Sequence, residues 1–158
     1  LQRNCNDPAV RPGFGTAEVR REDDVADRVE SVSGSDDGEV FLACVDGDPV
    51  GEGFLFDLDP QRGRVELGYW VAPEAQGRGY ATETAALLVE HAFAECRLNK
   101  VVARVLAGND ASRRVLEGLG FQHAGRFRQD FYFDGEYVDA DLYDLLADEW
   151  DGPGGGDD

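Results

Sequence analysis

The sequence predicts an α/β domain in which helices flank a central, mostly antiparallel sheet. Short β-branched or alternating apolar segments recur between residues 40 and 145, and turn residues separate them. Two segments of helical character, 81–94 and 110–119, interrupt this series of strands. The chain has 158 residues, so we expect one domain over residues 1–150 and a disordered glycine-aspartate tail at 151–158.

The first half of the chain predicts a helix followed by a hairpin. Residues 15–31 are polar and are predicted to be helical. Residues 40–45 and 50–58 are predicted strands, and Asp46-Gly47-Asp48 between them is typical of a tight hairpin turn. The segment 60–63 then turns the chain into the next strand.

That next strand, at residues 65–71, leads through a glycine-bearing turn into a helix. Val65, Leu67 and Tyr69 alternate with polar or small residues, which is the period of a strand. Pro73 ends the strand because it has no N–H group to continue a ladder. The helix is predicted over residues 81–94.

The C-terminal half is predicted to contain a strand, a helix and a hairpin. Residues 100–106 read as a buried strand, and Asn109 offers an N-cap side chain to the helix that follows. Gly120 is predicted to close that helix as a C-cap. Asp134-Gly135 predicts a hairpin between segments 131–133 and 137–145.

The turn from Gln76 to Ala81 has the features of an anion site. A helix start leaves several N–H groups unpaired and carries partial positive charge. Gly77 and Gly79 allow a bulky anion to approach that backbone closely. The spacing is not the G-x-G-x-x-G of a dinucleotide fold or the Gly-Lys-Ser/Thr of a P-loop. A pyrophosphate cradle and an ordinary strand-to-helix turn are both open at this point.

Several motifs along the chain share a resemblance to one superfamily. Gln76-Gly-Arg-Gly-Tyr-Ala81 resembles the Q/R-x-x-G-x-G/A signature of the GNAT acetyltransferases. The runs 66–71, 109–121 and 125–143 resemble further motifs of the RimJ/RimL branch, whose members act on N-terminal amines of ribosomal proteins or on small amines. The resemblance covers residues 39 to 146 and implies the GNAT fold, a twisted sheet with splayed strands.

The same resemblance implies acetyl-coenzyme A as co-substrate. Its pyrophosphate would lie on the glycine turn, and N–H groups at the end of the preceding strand would meet the thioester carbonyl and the pantetheine amides. Arg78 and Arg113 or Arg114 would add positive charge, unless they pair with surface acids. Asn109 would contact pantetheine, cap its helix, or do both. The predicted cofactor-binding residues are Trp70, Val71, Ala72, Gln76, Gly77, Arg78, Gly79, Tyr80, Ala81, Asn109, Ser112 and Arg113.

Two residues are candidates for the acid–base chemistry. Glu66 lies ten positions before Gln76, as a catalytic glutamate does in some GNAT enzymes, and is the candidate base; alternatively it faces solvent or pairs with an arginine such as Arg64. Ser112 is the candidate proton donor because Leu116 stands where many of these enzymes carry a tyrosine; alternatively it only caps its helix. Direct attack of the amine in a ternary complex is expected.

Composition limits the partners. The chain carries 15 Lys and Arg against 33 Asp and Glu, a net charge of −18, so we expect no nucleic-acid or anionic-membrane partner. We interpret the acidic surface as adaptation to a saline, halophilic cytoplasm, since salt screens self-repulsion. Selection for a cationic substrate is the alternative.

Cysteine and histidine spacing predicts neither a disulfide framework nor a metal site. Cys5, Cys44 and Cys96 are odd in number and show no C-x-x-C pair. We expect Cys44 and Cys96 to be small core residues, and His91 and His123 to be structural. The chain has no apolar run of about 18 residues and no signal-peptide pattern, so a cytoplasmic protein is expected.

The predicted acceptor is a primary amine. An N-terminal α-amine of a polypeptide is favoured; a polyamine or antibiotic amine and a non-catalytic acetyl-coenzyme A-binding module are the alternatives. A homodimer is left open. The chain starts at Leu1 with a segment that resembles the one after the family's first strand, so we expect that strand to be missing.

Overall fold

The computed structural model describes residues 38–153. The predicted helix at 15–31, the expected absence of a first strand, and most of the predicted tail lie outside these residues. None of the helices between residues 38 and 153 has the length and apolar character needed to cross a lipid bilayer.

The described chain contains six strands and two α-helices, and the predicted order of elements is confirmed. The strands are β1 (Glu39–Val45), β2 (Asp48–Asp59), β3 (Arg64–Val71), β4 (Lys100–Leu106), β5 (Gln122–Phe133) and β6 (Glu136–Leu146). The helices are α1 (Tyr80–Glu90) and α2 (Asp110–Gly118). Short 3₁₀ turns cover Pro73–Ala75 and Ala147–Glu149, and a wide π-helical turn covers His91–Glu95.

One sheet contains all six strands in the order β1-β2-β3-β4-β6-β5. Both predicted hairpins are present, and the Asp and Gly of each turn have positive φ: 52° and 85° at Asp46 and Gly47, and 50° and 82° at Asp134 and Gly135. Glycine accepts this backbone freely and aspartate tolerates it, which is why the Asp-Gly pairs predict the turns. The edge strand β5 is interrupted by register shifts between His123 and Gly125 and between Phe127 and Phe131.

The contact between β3 and β4 is the one parallel pairing among the described strands, and it is short. It runs from Arg64 opposite Lys100 to Leu67 opposite Ala103 and then stops, although both strands continue. Beyond Leu67, β3 pairs only with β2 on its other side, through Val71 opposite Gly51. The sheet is therefore mostly antiparallel and opens into a splay at its centre, as the sequence predicts.

Both helices pack on one face of the sheet and form the main core there. Val65 and Leu67 of β3 face the helices, whereas Glu66 and Trp70 face the opposite side because side chains alternate along a strand. The core side chains from α1 and α2 are Ala85, Leu88, Val89 and Leu116, and those from the sheet include Leu55, Val101, Val105 and Leu145.

The end of α1 differs from the prediction. A single helix is predicted over 81–94, but the α-helical bonds end at Glu90 and a wide turn over His91–Glu95 follows. The Cys96 N–H donates to the carbonyl of His91, 3.0 Å away, which closes this turn over five residues. The expectation that Cys44 and Cys96 fill the core is wrong: both are exposed, Cys44 on β1 and Cys96 just after the wide turn.

A pair of leucine truncations tests this core. Leu116 of α2 is 1% exposed and Leu87 of α1 is 58% exposed, so the same substitution removes buried contacts in one helix and solvated ones in the other. We expect Leu116→Ala to lower the free energy of unfolding by about 2–5 kcal/mol, because it loses apolar burial and leaves a cavity. Leu87→Ala should change it by less than about 0.5 kcal/mol.

Urea denaturation of the full chain at constant high salt measures both changes. Equal losses in the two variants would contradict the assignment of Leu116 to the core.

Candidate functional site

The splay between β3 and β4 opens into a cleft of about 660 Å³. One wall is the end of β3, the glycine turn after it and the start of α1. The other wall is the end of β4, the loop after it and the start of α2, with Phe133 and Val138 added from β5 and β6. From the predicted cofactor-binding set the lining includes Trp70, Val71, Gln76, Gly77, Gly79, Tyr80, Ala81, Asn109 and Ser112.

The glycine turn presents bare backbone to this cleft. Gly77 and Gly79 have φ of 77° and 82°, and an added Cβ at either would meet no atom within 4 Å. The first backbone bond of α1 runs from the Glu83 N–H to the Gly79 carbonyl, 3.0 Å, so the N–H groups of residues 79–82 have no acceptor within the helix. N–H groups left without a helical acceptor at a helix start are the groups that bind anions in many proteins.

The side chain of Gln76 ties this turn to the end of β3. Its amide Nε2 donates to the carbonyl oxygen of Val71 at a distance of 3.0 Å. That carbonyl lies where the β3–β4 ladder has already ended, so the glutamine satisfies a group that β4 does not reach. Gln76 therefore fixes the turn relative to the strand.

The structure corrects the predicted role of Ala72. Its N–H donates to the carbonyl of Val50, 2.7 Å away, because the β2–β3 ladder continues one residue past β3. Backbone groups alternate in direction along a strand, so those of Trp70 also point towards β2 and those of Tyr69 and Val71 point into the splay. The N–H groups of Trp70, Val71 and Ala72 were expected at the cleft, and of these three that of Val71 points into it.

The start of α2 forms the opposite wall. Asn109 caps the helix as predicted, because its Oδ1 accepts the Ser112 N–H at 3.3 Å. The Tyr69 hydroxyl reaches across from β3 and donates to the Ser112 carbonyl oxygen at 3.5 Å. Burial raises the pKa of Tyr69 to about 12, and a hydrogen bond with the side chain of Ser112 partly opposes that rise. Tyr69 therefore stays protonated at any physiological pH.

Glu66 lies on the other face of the sheet, at the next-to-last paired step of β3 and β4. It is 7% exposed, and its Oε1 is 3.3 Å from Nε of Arg104. The alternative that Glu66 pairs with an arginine therefore holds, with Arg104 as the partner in place of the example Arg64. Arg104 also reaches Asp130 at 3.2 Å, and its Cζ lies 5.2 Å from the ring centroid of Phe127.

The buried position of Glu66 changes the pKa of its carboxyl group. Burial raises the pKa of the Glu66 carboxyl above its ordinary value, and attraction to the Arg104 guanidinium partly opposes this. Glu66 is not among the residues that line the cleft. It lies two residues before Gly68, about 7 Å along the strand from the point where the splay begins.

The predicted arginines are not brought to the cleft. Arg113 pairs along its own helix with Asp110 at 3.1 Å and with Glu117 at 3.4 Å, so the surface alternative describes it. Arg78 is exposed and, within the described part of the chain, does not line the cleft. Leu116, at the position where many GNAT enzymes carry a tyrosine, is buried in the core and offers no proton donor.

Two residues near the site were missed from the sequence. Tyr69 was assigned only to the period of its strand, yet its hydroxyl lies in the cleft wall. Arg104 is the one charged residue in the otherwise apolar segment 101–106, and that break in pattern is the signal that could have found it. Both positions depend on partners more than 25 residues away.

Two curated proteins that are similar to this chain are both named as N-acetyltransferases. YdaF of Bacillus subtilis (strain 168) is provisionally named as a ribosomal N-acetyltransferase. It is 38% identical to this chain over 107 residues, which are 68% of this chain and 58% of YdaF. The spermidine N(1)-acetyltransferase of Escherichia coli (strain K12) is 29% identical over 63% of this chain and 54% of its own length. The chain thus spans a little over half the length of these curated relatives.

A solved structure also has a similar fold. Mycobacterium smegmatis RimJ, in complex with CoA-disulfide, superposes with a TM-score of 0.77 at 25% identity, over 84% of this chain and 64% of that protein. The family described as "Acetyltransferase (GNAT) domain" matches residues 1–122, which is most of the chain. With the splayed sheet and the glycine turn at a helix start, this match shows that the chain belongs to the GNAT acetyltransferase family.

Proposed function

We propose that this protein is an N-acetyltransferase that moves an acetyl group from acetyl-coenzyme A to a primary amine. The observation that carries the proposal is the cleft in the β3–β4 splay, with the glycine turn in its wall and, at the helix start, N–H groups that have no acceptor within the helix. The donor set fits the co-substrate, because backbone N–H groups at a helix start suit a pyrophosphate and strand-edge groups suit the amides of a pantetheine arm.

Acetyl-coenzyme A supplies an activated acetyl thioester. Around it, the N–H groups of residues 79–82 bind the pyrophosphate, and the Val71 N–H at the end of β3 donates to the thioester carbonyl. Asn109 and Ser112 line the wall opposite β3 and orient the pantetheine arm. These contacts bring the carbonyl carbon within reach of an amine entering at the splay.

Glu66 is proposed as the base. An N-terminal amine has a pKa of about 8 and a lysine-type amine about 10, so either must lose a proton before it attacks. The buried Glu66 carboxyl has a raised pKa, which makes it a better proton acceptor than an exposed glutamate. Because Glu66 does not line the cleft, the proton of the amine would reach it through water.

Ser112 is proposed as the proton donor. When the new C–N bond forms and the C–S bond breaks, the sulfur of coenzyme A needs a proton. The Ser112 residue lies in the cleft wall, beside the Tyr69 hydroxyl that donates to its carbonyl oxygen. Tyr69 keeps its proton and therefore acts as a fixed hydrogen-bond donor in this wall.

We favour the N-terminal α-amine of a polypeptide as the acceptor. The YdaF relative, named for ribosomal N-acetylation, is the more similar of the two curated proteins compared. At high salt, screening weakens long-range attraction between exposed charges, so an acceptor must be chosen by short-range contacts. A saline cytoplasm is part of this proposal.

A polyamine is the second candidate, because acidic groups surround Glu66. The carboxylates of Asp57 and Asp130 both interact electrostatically with Glu66, and the chain as a whole has a net charge of −18. Such a field attracts a polycation. The spermidine acetyltransferase of Escherichia coli is the relative that corresponds to this candidate.

Substitution of Gly79 tests the cofactor site. We expect Gly79→Leu to raise the dissociation constant of acetyl-coenzyme A at least tenfold, about 1.4 kcal/mol, because a side chain there strains the turn and blocks approach to the N–H groups. Isothermal titration calorimetry measures it. Gly47→Leu is the matched control, since Gly47 has a similar φ of 85° and equally open surroundings in the β1–β2 hairpin. Wild-type affinity in a folded Gly79 variant would refute the assignment.

Substitution of Glu66 tests the base. The pKa of Glu66 is raised, so kcat should increase with pH along an acidic limb of the pH–rate profile. The midpoint of that limb should lie above the pKa of an exposed glutamate. Glu66→Gln should lower kcat by about 10²-fold, abolish that limb and leave the KM of acetyl-coenzyme A unchanged. Arg104→Gln removes the cation that lowers the Glu66 pKa most, so it should keep the limb and move it to higher pH.

The two variants separate catalysis from structure. If Glu66 serves only to pair Arg104, both substitutions should alter activity alike, and neither should displace the limb.

Comparison of two acceptors tests the substrate class. We expect kcat/KM at molar salt to be at least about tenfold higher for a Ser-starting peptide than for spermidine. The same peptide with an acetylated N-terminus is the control that shows the α-amine is the acceptor. A preference for spermidine would establish the second candidate, and no thiol release with any amine would favour a non-catalytic binding module.

A further inference from the structure

Three side chains with metal-binding atoms meet outside the cleft. They are Glu39 at the start of β1, His91 after α1 and Cys96 after the wide turn, and their ligand atoms all lie within 4.8 Å of one another. Glu39 Oε2 is 2.7 Å from His91 Nε2. None of the three lines the cleft, so the group is separate from the proposed acetyl-transfer site.

The wide turn explains how His91 and Cys96 come to the same side. In a regular α-helix each residue advances about 100°, so residues five apart point about 140° away from each other. Here the Cys96 N–H bonds to the His91 carbonyl over five residues, and the turn is wide enough to bring Cys96 back under His91. Single wide turns of this kind within helices are frequent at functional sites.

The histidine ring is held from the strand side. Phe41 of β1 contacts it edge to face, with ring centroids 5.2 Å apart. Glu39, two residues earlier on the same strand, presents its carboxylate to the ring nitrogen. The imidazole orientation is therefore fixed by β1, and the thiol approaches it from the helix side.

The donor set matches a zinc ion. Zinc binds thiolate, imidazole and carboxylate at about 2.0–2.3 Å in a tetrahedron, which sets ligand atoms about 3.3–3.7 Å apart. The three atoms here need only small side-chain rotations to reach that spacing, and Glu39 is exposed enough to make them. One thiolate and one carboxylate also balance the charge of a divalent ion.

We propose that Glu39, His91 and Cys96 form a Zn²⁺ site, with a water molecule as the fourth ligand. The site joins the C-terminal end of α1 to β1. It thereby fixes the helix whose N-terminus carries the glycine turn. Sequence spacing could not predict it, because one ligand lies more than 50 residues before the other two.

Cobalt titration of the full chain tests the site. Protein freed of metal with a chelator and kept reduced is titrated with Co²⁺, and a thiolate-to-cobalt charge-transfer band is recorded. We expect the band to saturate at one equivalent and to disappear when Zn²⁺ is added, because zinc binds such a site more tightly than cobalt. Cys96→Ser should abolish the band. His91→Gln and Glu39→Gln should each raise the Co²⁺ dissociation constant at least about tenfold.

Cys44→Ser is the matched control, because Cys44 is also exposed and free but is not part of the group. It should bind Co²⁺ as the wild type does. Glu39 is a surface residue, so its variant stays informative even if a cysteine or histidine variant folds poorly. No band in the wild type, a band that survives in Cys96→Ser, or equal loss in Cys44→Ser would overturn the proposal.

Discussion

The early end of the β3–β4 ladder is the constraint on which the rest of the structure depends. Parallel pairing stops at Leu67 and Ala103, and the backbone groups beyond that point must find other partners. One carbonyl, that of Val71, is satisfied by the Gln76 side chain, which sets the turn against the strand. The remaining groups face an open cleft whose shape follows from the divergence of two strands. The glycine turn and the start of α2 matter because they border this opening.

The same strand also separates two chemical environments. On the helix side, Tyr69 and Ser112 form a nearly neutral wall, in which burial keeps the tyrosine protonated. On the other side, Glu66 is buried next to Arg104, and its protonation reflects a balance between desolvation and ion pairing. One residue of offset along β3 therefore decides whether a side chain meets a neutral wall or a charged cluster. The charged cluster around Glu66 is thereby kept out of the lining of the cleft.

Local signals predicted most of the fold and part of the site. Asp-Gly pairs located both hairpins, alternation located β3, and an asparagine at the right spacing located the cap of α2, because each depends on neighbours in sequence. The glycine turn was recognisable for the same reason. The partner of Glu66, the direction of the Ala72 N–H, and the exposure of Cys44 and Cys96 were not, because each is decided by a strand or helix that lies far away in the chain.

The register shifts in β5 have a consequence for association. A straight outer strand offers a regular row of N–H and C=O groups to any other extended chain, which is a common route to aggregation. In β5 that row is broken at two places, between His123 and Gly125 and between Phe127 and Phe131, and Gln129 between the second pair has a φ of 52°. A second molecule could lengthen the sheet on this side only by first straightening both bulges. The exposed Phe127 therefore lies at an interruption of the strand edge and not within a regular one.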